Sequence, residues 1–396
     1  MRTGAVRHMT TLSGLAVLLS CADTPRGSTV LVADSLGVRV VEHTQLPVPD
    51  MSASAPVSAE LSFGGSNAQP GQELTYVRGA VPILGDRLFV ADQASDGIRS
   101  FDLVRAEVRG FGARGEGPGE FLYPAMVGIH DGDSVVVYDA RSRRVSLLDT
   151  SRGGHRSFLV PPEVGPFASA VGLLSTGHIV FSGSNGLRLL GHERVVRDTV
   201  PVVVTDLEGA VQATFEEIRS AGYYEGPPDV NPRALAIPFA PGDRVLAGPG
   251  GIYVTREDRA EIRRYDGTGS LILVLRLALP PFEVRGAQVD SVLDAEAESS
   301  NYPEGVRRLF DRMPIPGQHP PISQMVLDNS GRIWVLLTSD TRDPTSTWAL
   351  FEADGSFVGW RELPSGRLMG VTNGRAVLET HDEYDAPILS VLRIAG

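Results

Sequence analysis

Six acidic residues follow apolar, strand-like phrases of the sequence by a few positions, and these are the side chains best placed to do chemistry. They are Asp92, Asp139, Glu257, Asp258, Asp340 and Asp382. Carboxylate oxygens gathered at one place are the ligands that calcium and other hard cations prefer. The same spacing also arises when each carboxylate caps its own turn by accepting backbone N–H groups. In that case nearby arginines balance the charge, and the candidates are Arg143, Arg144, Arg256 and Arg259.

Several common chemistries are excluded by residue type. All 36 basic residues are arginine, so the chain has no lysine for a Walker-type phosphate loop or a Schiff base. The single cysteine excludes an internal disulfide and a multi-cysteine metal site. The sequence contains no Gly-x-Ser-x-Gly elbow and no His-x-x-x-His pair. The net charge of −12 argues against non-specific binding of nucleic acid, which needs a basic surface.

The glycine-rich segment 112–119 has two glycines spaced like those of a dinucleotide-binding loop. Such a loop leads into a helix, whereas this segment contains Pro118 and continues into an apolar strand pattern. We therefore interpret it as a linker between strands.

The N-terminus has the pattern of an export signal. Residues 1–20 carry Arg2 and Arg7, no acidic residue, and an apolar run that is too short to span a bilayer. The run ends in Leu-Leu-Ser-Cys, which resembles a bacterial lipobox and implies that Cys21 becomes the lipidated first residue of the mature chain. An ordinary secretory signal with an incidental cysteine is the alternative. With lipidation, residues 21–29 form a tether, and the protein is expected at the cell envelope, on a periplasmic or outer membrane surface.

A five-residue phrase recurs along the rest of the chain: Gly or Asp, a variable residue, then three mostly β-branched or aromatic residues. It begins at residues 86, 133, 177, 250, 331 and 374. The shorter intervals match the ~40–50 residues of a four-stranded propeller blade, and the longer ones require insertions. Apolar stretches before and after each phrase supply the remaining strands. The sequence predicts an all-β fold, namely a six-bladed β-propeller of four-stranded antiparallel blades over residues 30–396.

The two ends of this chain are predicted to meet. Residues 59–64 resemble the outer strand that precedes a blade linker, but no inner strands lie upstream of them. The C-terminal stretch 368–394 has room for about three strands. We expect 59–64 to supply its fourth strand, which closes the ring and protects sheet edges.

Two insertions interrupt the repeats. Residues 185–245 are expected to hold an extra pair of strands, 200–204 and 211–215, and a loop with Tyr223 and Tyr224. These tyrosines are candidates for contact with a partner, or they pack the loop onto the propeller wall. Residues 284–313 have partly helical apolar spacing, and Pro303 predicts two short helices rather than one. At the least, the helices form a cap at one end of the propeller.

Segment 112–121 resembles the blade linker of NHL-type six-bladed propellers. Segments 34–42 and 327–335 are similar to those of a set of largely uncharacterised bacterial six-bladed propeller lipoproteins. The resemblance covers residues 30–395, with sharp motifs in the first, second and fifth blades. In such a fold the acidic loops open on the same face as the blade linkers, where Glu116 and Glu120 lie. The resemblance therefore implies carboxylates near one mouth of the channel.

Two functions of different classes are compatible with the sequence. The first is a non-catalytic, monomeric scaffold that is anchored to the membrane and binds a protein, peptide or glycan partner. The second is a metal-dependent hydrolase similar to gluconolactonases, which would use calcium held by acidic residues at the channel mouth. Fold alone does not decide between them. Because no set of catalytic residues can be picked out at matching blade positions, we favour binding, with no cofactor other than the candidate calcium.

Overall fold

A computed structural model describes residues 29–49, 57–79, 81–93, 97–132, 134–183, 188–339 and 344–394. The export signal with Cys21, and the candidate acid Asp340, lie outside these residues. The described chain is mostly β-structure, with α-helices at Gly286–Ser299 and Pro303–Phe310 and a short 3-10 helix at Pro162–Val164. Within that part of the chain, neither α-helix is long and apolar enough to cross a membrane.

Most strands belong to antiparallel units of four, which we number in chain order. Unit 1 has an interrupted first strand, Val77–Arg78 and Ile83–Leu84, followed by Arg87–Asp92, Ile98–Asp102 and Val108–Phe111. Unit 2 comprises Pro124–His130, Ser134–Asp139, Arg144–Asp149 and His155–Leu159. Unit 3 comprises Ser169–Leu173, Ile179–Ser182, Thr199–Thr205 and Val211–Arg219. Between units 1 and 2, Ala113–Arg114 pairs in parallel with Glu120–Phe121.

The second half of the chain repeats this arrangement. Unit 4 comprises Arg244–Gly248, Gly251–Arg256, Glu261–Tyr265 and Leu271–Leu277. Unit 5 comprises Ile322–Leu327, Ile333–Leu337, Thr345–Phe351 and Phe357–Pro364. Unit 6 comprises Arg367–Thr372, Arg375–His381, Pro387–Arg393 and the distant strand Ser58–Gly64. The last pairing is the chain closure that the sequence predicts, and Ser58–Gly64 runs antiparallel to Pro387–Arg393.

The second strand of each unit is apolar along its length because both faces of the unit are covered. In unit 1, Leu88 and Val90 pack with side chains of unit 6, whereas Phe89 packs with side chains of unit 2. Successive residues of a strand point to opposite faces, so each face of the unit contributes to a different core. Further cores join units 2 and 3, 3 and 4, 4 and 5, and 5 and 6. Each unit therefore packs face to face with the next, and unit 6 packs with unit 1.

The first strands of neighbouring units approach one another closely around a central channel. Gly79 lies beside Met126 and Gly172 pairs in parallel with Ala247. A Cβ atom at either glycine would collide with the facing backbone, so these positions require glycine. The first strands surround a channel cavity of about 470 Å³, which is lined by Gly79 and by segments 81–83, 126–129, 170–173, 245–249, 324–329 and 367–372.

The structure corrects the predicted content of the first insertion. Strands Thr199–Thr205 and Val211–Arg219 are not an extra pair, because Thr199–Thr205 pairs with Ile179–Ser182 and both belong to unit 3. The inserted residues instead form a separate three-stranded sheet of Arg194–Val196, Tyr223–Glu225 and Ala234–Ala236. The third strand begins later than the repeat spacing predicts, because inserted residues, among them 188–198, precede it. The second insertion forms two helices, as Pro303 predicts.

Residues 29–45 form a hairpin that extends unit 4, an arrangement that the sequence did not indicate. Thr29–Ser35 pairs with Val38–Gln45, which runs parallel to the outer strand Leu271–Leu277. Val41 is buried in the core between units 4 and 5. Parallel strands cannot be joined by a tight turn, and Val38–Gln45 and Leu271–Leu277 are indeed far apart in the sequence.

Candidate functional site on the linker face

On one face of the molecule the chain passes from the last strand of each unit to the first strand of the next. The loops between second and third strands open on the same side, which we call the linker face. Asp92 and Asp139 end the second strands of units 1 and 2 on this face, and each is 1% exposed. Their position agrees with the prediction. Their contacts distinguish a carboxylate that caps a turn from one that binds an ion.

Asp92 and Asp139 hold the linkers in place. Asp92 accepts the N–H of Tyr76 at 2.8 Å and binds Arg99 at 2.6 Å. Asp139 accepts the N–H groups of Leu122 at 2.6 Å and Tyr123 at 2.8 Å, and two more from its own turn. Carboxylate oxygens saturated in this way by backbone donors cap turns rather than coordinate an ion.

Asp382 has a comparable role at the closure of the chain. Its carboxylate accepts the N–H of Ser66 at 2.6 Å, of Tyr384 at 2.9 Å and of Ala386 at 3.0 Å. These bonds, first of all the one from Ser66, lower the pKa of Asp382 to about 2. The linker 112–119 is organised in the same manner, since Glu120 accepts the N–H of Gly117 at 2.8 Å.

Asp92, Asp139 and Asp382 are therefore turn caps, spread over the linker face. No group of three or more His, Cys, Asp or Glu side chains with metal-ligand geometry occurs in the part of the chain that the structure describes. Only some of the predicted arginines lie beside the candidate acids. Arg259 lies 3.3 Å from Asp258, whereas Arg143 and Arg144 bond to carbonyl groups and a serine elsewhere. The partner of Asp92 is Arg99, which sequence spacing did not single out.

Unit 4 departs from this pattern because its acids belong to a larger network of charges. Asp258 binds Arg219 at 3.0 Å, and Arg219 also lies 3.5 Å from Asp243. The buried Asp243 pairs in addition with Arg256. Asp243 and Arg219 were missed in the sequence because they flank the first insertion rather than a repeated phrase.

Glu257 is the buried acid of this network, at 3% exposed. One carboxylate oxygen lies 2.6 Å from Nε of Arg244, and the other accepts the N–H of Gly242 at 3.2 Å. Burial raises the pKa of Glu257, and the contacts with Arg244 and Gly242 offset only part of that effect. A buried carboxyl with a raised pKa beside an opening is a common feature of binding and catalytic sites.

Glu257 borders a cleft that runs between units 4 and 5 and the inserted segments. The cleft has two lobes, of about 370 and 740 Å³, and both are lined by Glu257, His319 and Pro320. Arg244 lines the smaller lobe, and its side chain is half exposed. Prolines dominate the larger lobe, at positions 241, 280, 281, 316, 320 and 321. The cleft is thus a rigid, partly apolar groove with charged groups at one end.

His319 forms part of the wall of this cleft, between two aromatic rings. The ring centroids of Phe239 and Phe282 lie 4.6 and 5.1 Å from that of His319, and Nε2 of His319 lies 3.1 Å from Oε1 of Gln288. Burial lowers the pKa of His319, so the imidazole is neutral at pH 7. Phe239 has a φ of 59°, a strained backbone conformation for a bulky side chain. Strain of this kind tends to be retained at functional sites.

The two insertions form one accessory subdomain, which comprises residues 188–198, 220–243 and 280–321. A separate hydrophobic core unites them, with Tyr224, Ile237, Val306, Leu309 and Phe310 among its members. This subdomain stands on the linker face and supplies one wall of the cleft. The insertions are therefore more than a cap laid across one end.

The structure separates the two candidate contact tyrosines. Tyr224 is 3% exposed and donates a hydrogen bond to Glu193, which together with burial raises the pKa of Tyr224 to about 12. It packs the insertion and offers no surface to a partner, which corrects the prediction for this residue. Tyr223 is 40% exposed on the adjacent surface, because successive residues of a strand face opposite sides.

Comparison with known proteins adds little to this description. No protein-family model matches the chain, and no curated protein matches it. A structure from Bacteroides fragilis, of a protein described as exported, has 13% identity and a TM-score of 0.48 over 88% of this chain and 98% of that chain. A DUF4221-family member from Bacteroides vulgatus has 11% identity and a TM-score of 0.44 over 87% of this chain and 99% of that chain.

A β-propeller domain from Myceliophteria thermophila has 13% identity and a TM-score of 0.36 over 86% of this chain and 100% of that chain. At TM-scores below 0.5 these likenesses carry no argument about this protein. The strand pairing and the hydrophobic cores of the chain itself define its fold.

Proposed function

We propose that the protein is an exported, lipid-anchored, six-bladed β-propeller that acts as a non-catalytic scaffold. The six-bladed architecture is supported by the packing of each unit against the next, including unit 6 against unit 1. The channel lined by first strands supports it as well. The anchor is inferred from Cys21 in the sequence.

The scaffold binds a protein, peptide or glycan partner in the cleft between the accessory subdomain and units 4 and 5. The observation that carries this proposal is the arrangement of Glu257, His319 and Phe239 along a rigid groove. An elongated groove with proline-rich walls suits an extended segment of a partner, since little conformational entropy is lost by the protein on binding. Arg244 and Glu257 then supply polar specificity at one end.

The metal-dependent hydrolase receives less support. It needs several carboxylates directed at one ion, whereas Asp92, Asp139 and Asp382 accept backbone N–H groups at separate linkers. A lactone or ester hydrolysis that depends on calcium would nevertheless replace the scaffold proposal.

The binding proposal is tested by recovery of a partner from envelope extracts on the immobilised mature chain. We expect Gln318→Ala, an exposed change in the larger lobe, and His319→Ala to reduce recovery of the same partner. The matched control is Val104→Ala, because Val104 is 74% exposed in the turn between the third and fourth strands of unit 1. Equal recovery by all variants would remove the cleft from the proposal.

The anchor is tested separately. Cys21→Ala is expected to leave the protein in the soluble envelope fraction, because one lost acylation site removes every chain that holds it on the bilayer. Membrane fractionation with a carbonate wash checks this outcome. Variant protein that stays with the membrane would contradict the anchor but not the fold.

A further inference from the structure

The N-terminal hairpin begins close to the wall of the cleft. Thr29 pairs with Gln45, and Val30 pairs with His43. The carbonyl group of His43 accepts the N–H of Ala278 at 2.9 Å, and Ala278 lines the larger lobe of the cleft. Because neighbouring strands of a sheet lie about 4.8 Å apart, the start of the hairpin is about 10 Å from that lobe.

The length of chain before the hairpin limits the distance between the cleft and the proposed lipid anchor. Cys21 precedes Thr29 by eight positions. A fully extended chain covers at most about 3.6 Å per residue, so Thr29 lies at most about 29 Å from the anchored residue. The wall of the cleft is therefore within about 40 Å of the anchor. The turn at Leu36 is at the other end of the hairpin, about 23 Å from Thr29.

The hairpin is fastened to the body of the protein, so its residues add nothing to this length. Val38–Gln45 pairs in parallel with the outer strand of unit 4, and Val41 is 1% exposed in the core between units 4 and 5. Immediately after the hairpin, the carbonyl group of Pro47 accepts a hydrogen bond of 2.9 Å from Nε1 of Trp360. The start of the hairpin is thus held at a fixed place beside the cleft.

The charge of the accessory subdomain favours a basic partner over a lipid surface. The subdomain contains eight arginines and twelve acidic residues, and the whole chain carries a net charge of −12. Asp290, Glu296 and Glu298 are exposed on its first helix, Gly286–Ser299. A surface with this excess of acidic groups repels anionic lipid headgroups and attracts a positively charged segment of a protein.

We propose that the partner is a membrane-embedded protein, and that an extended, positively charged segment of it just outside the bilayer occupies the cleft. This inference rests on the lipid anchor and on binding through the cleft, both of which belong to the proposed function. Two proteins held at the same membrane surface meet at a raised effective concentration, provided that their binding surfaces lie within reach of each other. The short distance from Cys21 to the cleft meets that condition.

The first experiment measures how close the cleft lies to the bilayer. The acylated protein is reconstituted in phosphatidylcholine vesicles that contain a lipid with an acceptor dye on its headgroup. A donor dye is attached to one introduced cysteine, at Gln318 in the larger lobe, at Leu36 or at Val104, all of which are exposed. Cys21 is the only natural cysteine, and acylation leaves it without a free thiol.

We expect energy transfer from Gln318→Cys to be about twofold or more that from Leu36→Cys and Val104→Cys, because the cleft lies nearer the anchor. Equal transfer from the three sites, or the reverse order, overturns the inference and leaves the anchor intact. Flotation of the vesicles tests the anchor separately. A chain that does not float with the vesicles refutes the anchor, and the inference falls with it.

The second experiment identifies the occupant of the cleft. A photoreactive amino acid at Gln318 is activated in cells, and the crosslinked peptide of the partner is sequenced by mass spectrometry. We expect a peptide of net positive charge that adjoins a membrane-spanning segment of the partner. A peptide from a soluble envelope protein, or an adduct with lipid, overturns the inference, although the soluble protein would still support a scaffold. Absence of any adduct refutes binding through the cleft as well.

Discussion

His43 and Gly355 are separated by 312 positions in the sequence, yet Nε2 of His43 donates a hydrogen bond of 2.9 Å to the carbonyl oxygen of Gly355. This bond fastens the N-terminal hairpin to the turn between the last two strands of unit 5. The ring of His43 is 1% exposed and lies against Phe351 and Phe357. Burial lowers the pKa of His43, and the bond to Gly355 offsets part of that shift.

The first prediction concerns the pH dependence of stability. The unfolded chain binds a proton on His43 near the ordinary pKa of about 6.5, while the folded chain resists it. The contribution of neutral His43 is therefore present above that pH and is lost as the pH falls towards the lower folded pKa. Urea unfolding between about pH 7.5 and 5 should show a steeper loss of stability for the wild type than for His43→Gln. Equal slopes for the two proteins would contradict this assignment.

The second prediction concerns closure of the chain. Phe63 on the closing strand is 2% exposed, and its ring centroid lies 4.5 Å from that of Phe101 in unit 1. Phe63→Ala should lower the free energy of unfolding by about 3–5 kcal/mol, because it removes a buried ring and leaves a cavity. Phe167→Ala is the matched control, since Phe167 is 65% exposed and should change the free energy by less than about 0.5 kcal/mol.

Equilibrium unfolding of the two phenylalanine variants checks this prediction. Similar free energies for Phe63→Ala and Phe167→Ala would mean that Ser58–Gly64 does not seal the contact between units 6 and 1.

The sequence could predict the repeats because strands covered on both faces are apolar without interruption, as in Leu88, Phe89 and Val90. It also predicted the closing strand, because the C-terminal stretch was too short for four strands. The hairpin on unit 4 could not be predicted, since its parallel pairing depends on a partner more than 200 residues away, at Leu273–Leu277.

The candidate site was predicted only in part, for a related reason. The candidate acids that the structure describes lie on the expected face, but a carboxylate that caps a turn has the same spacing as one that binds an ion. The cleft could not be predicted from the sequence, because Asp243, His319 and Phe239 lie in the insertions, where there is no repeat. Their proximity follows from the shared core of the accessory subdomain, which sequence periodicity does not reveal.

The third prediction separates the two adjacent tyrosines. Tyr224→Phe removes the hydrogen bond to Glu193 and should destabilise the accessory subdomain by about 1 kcal/mol. Hydrogen exchange of amides in residues 220–243 and 303–310 should become faster in this variant. Tyr223→Phe should leave exchange unchanged, because Tyr223 is 40% exposed. The same exchange in both variants would show that Tyr224 does not hold the subdomain together.

The fourth prediction concerns Glu257. Because its folded pKa is raised, the folded chain retains a proton that the unfolded chain releases near its ordinary pKa of about 4.5. The contribution of protonated Glu257 to the stability of the fold is therefore complete below pH 4.5 or so, and it is lost as the pH rises through the folded pKa. The stability of Glu257→Gln relative to the wild type should therefore be greater at pH 7 than at pH 4. Equilibrium unfolding of both proteins at the two pH values checks this.

Glu208→Gln provides the control for the Glu257 variant, because the side chain of Glu208 is 70% exposed. Its stability relative to the wild type should hardly change over the same pH range. If Glu257→Gln instead loses stability relative to the wild type between pH 4 and pH 7, the ion pair with Arg244 outweighs the cost of burying Glu257.

The most direct test of the scaffold proposal is site-specific photocrosslinking in cells that express the protein. A photoreactive amino acid is placed at Gln318 in the cleft, at Tyr223 on the accessory subdomain, or at Val104 on the distant turn of unit 1. The same discrete adduct is expected from Gln318 and Tyr223, and none is expected from Val104. Absence of an adduct at Gln318, or an identical adduct at Val104, would contradict binding through the cleft.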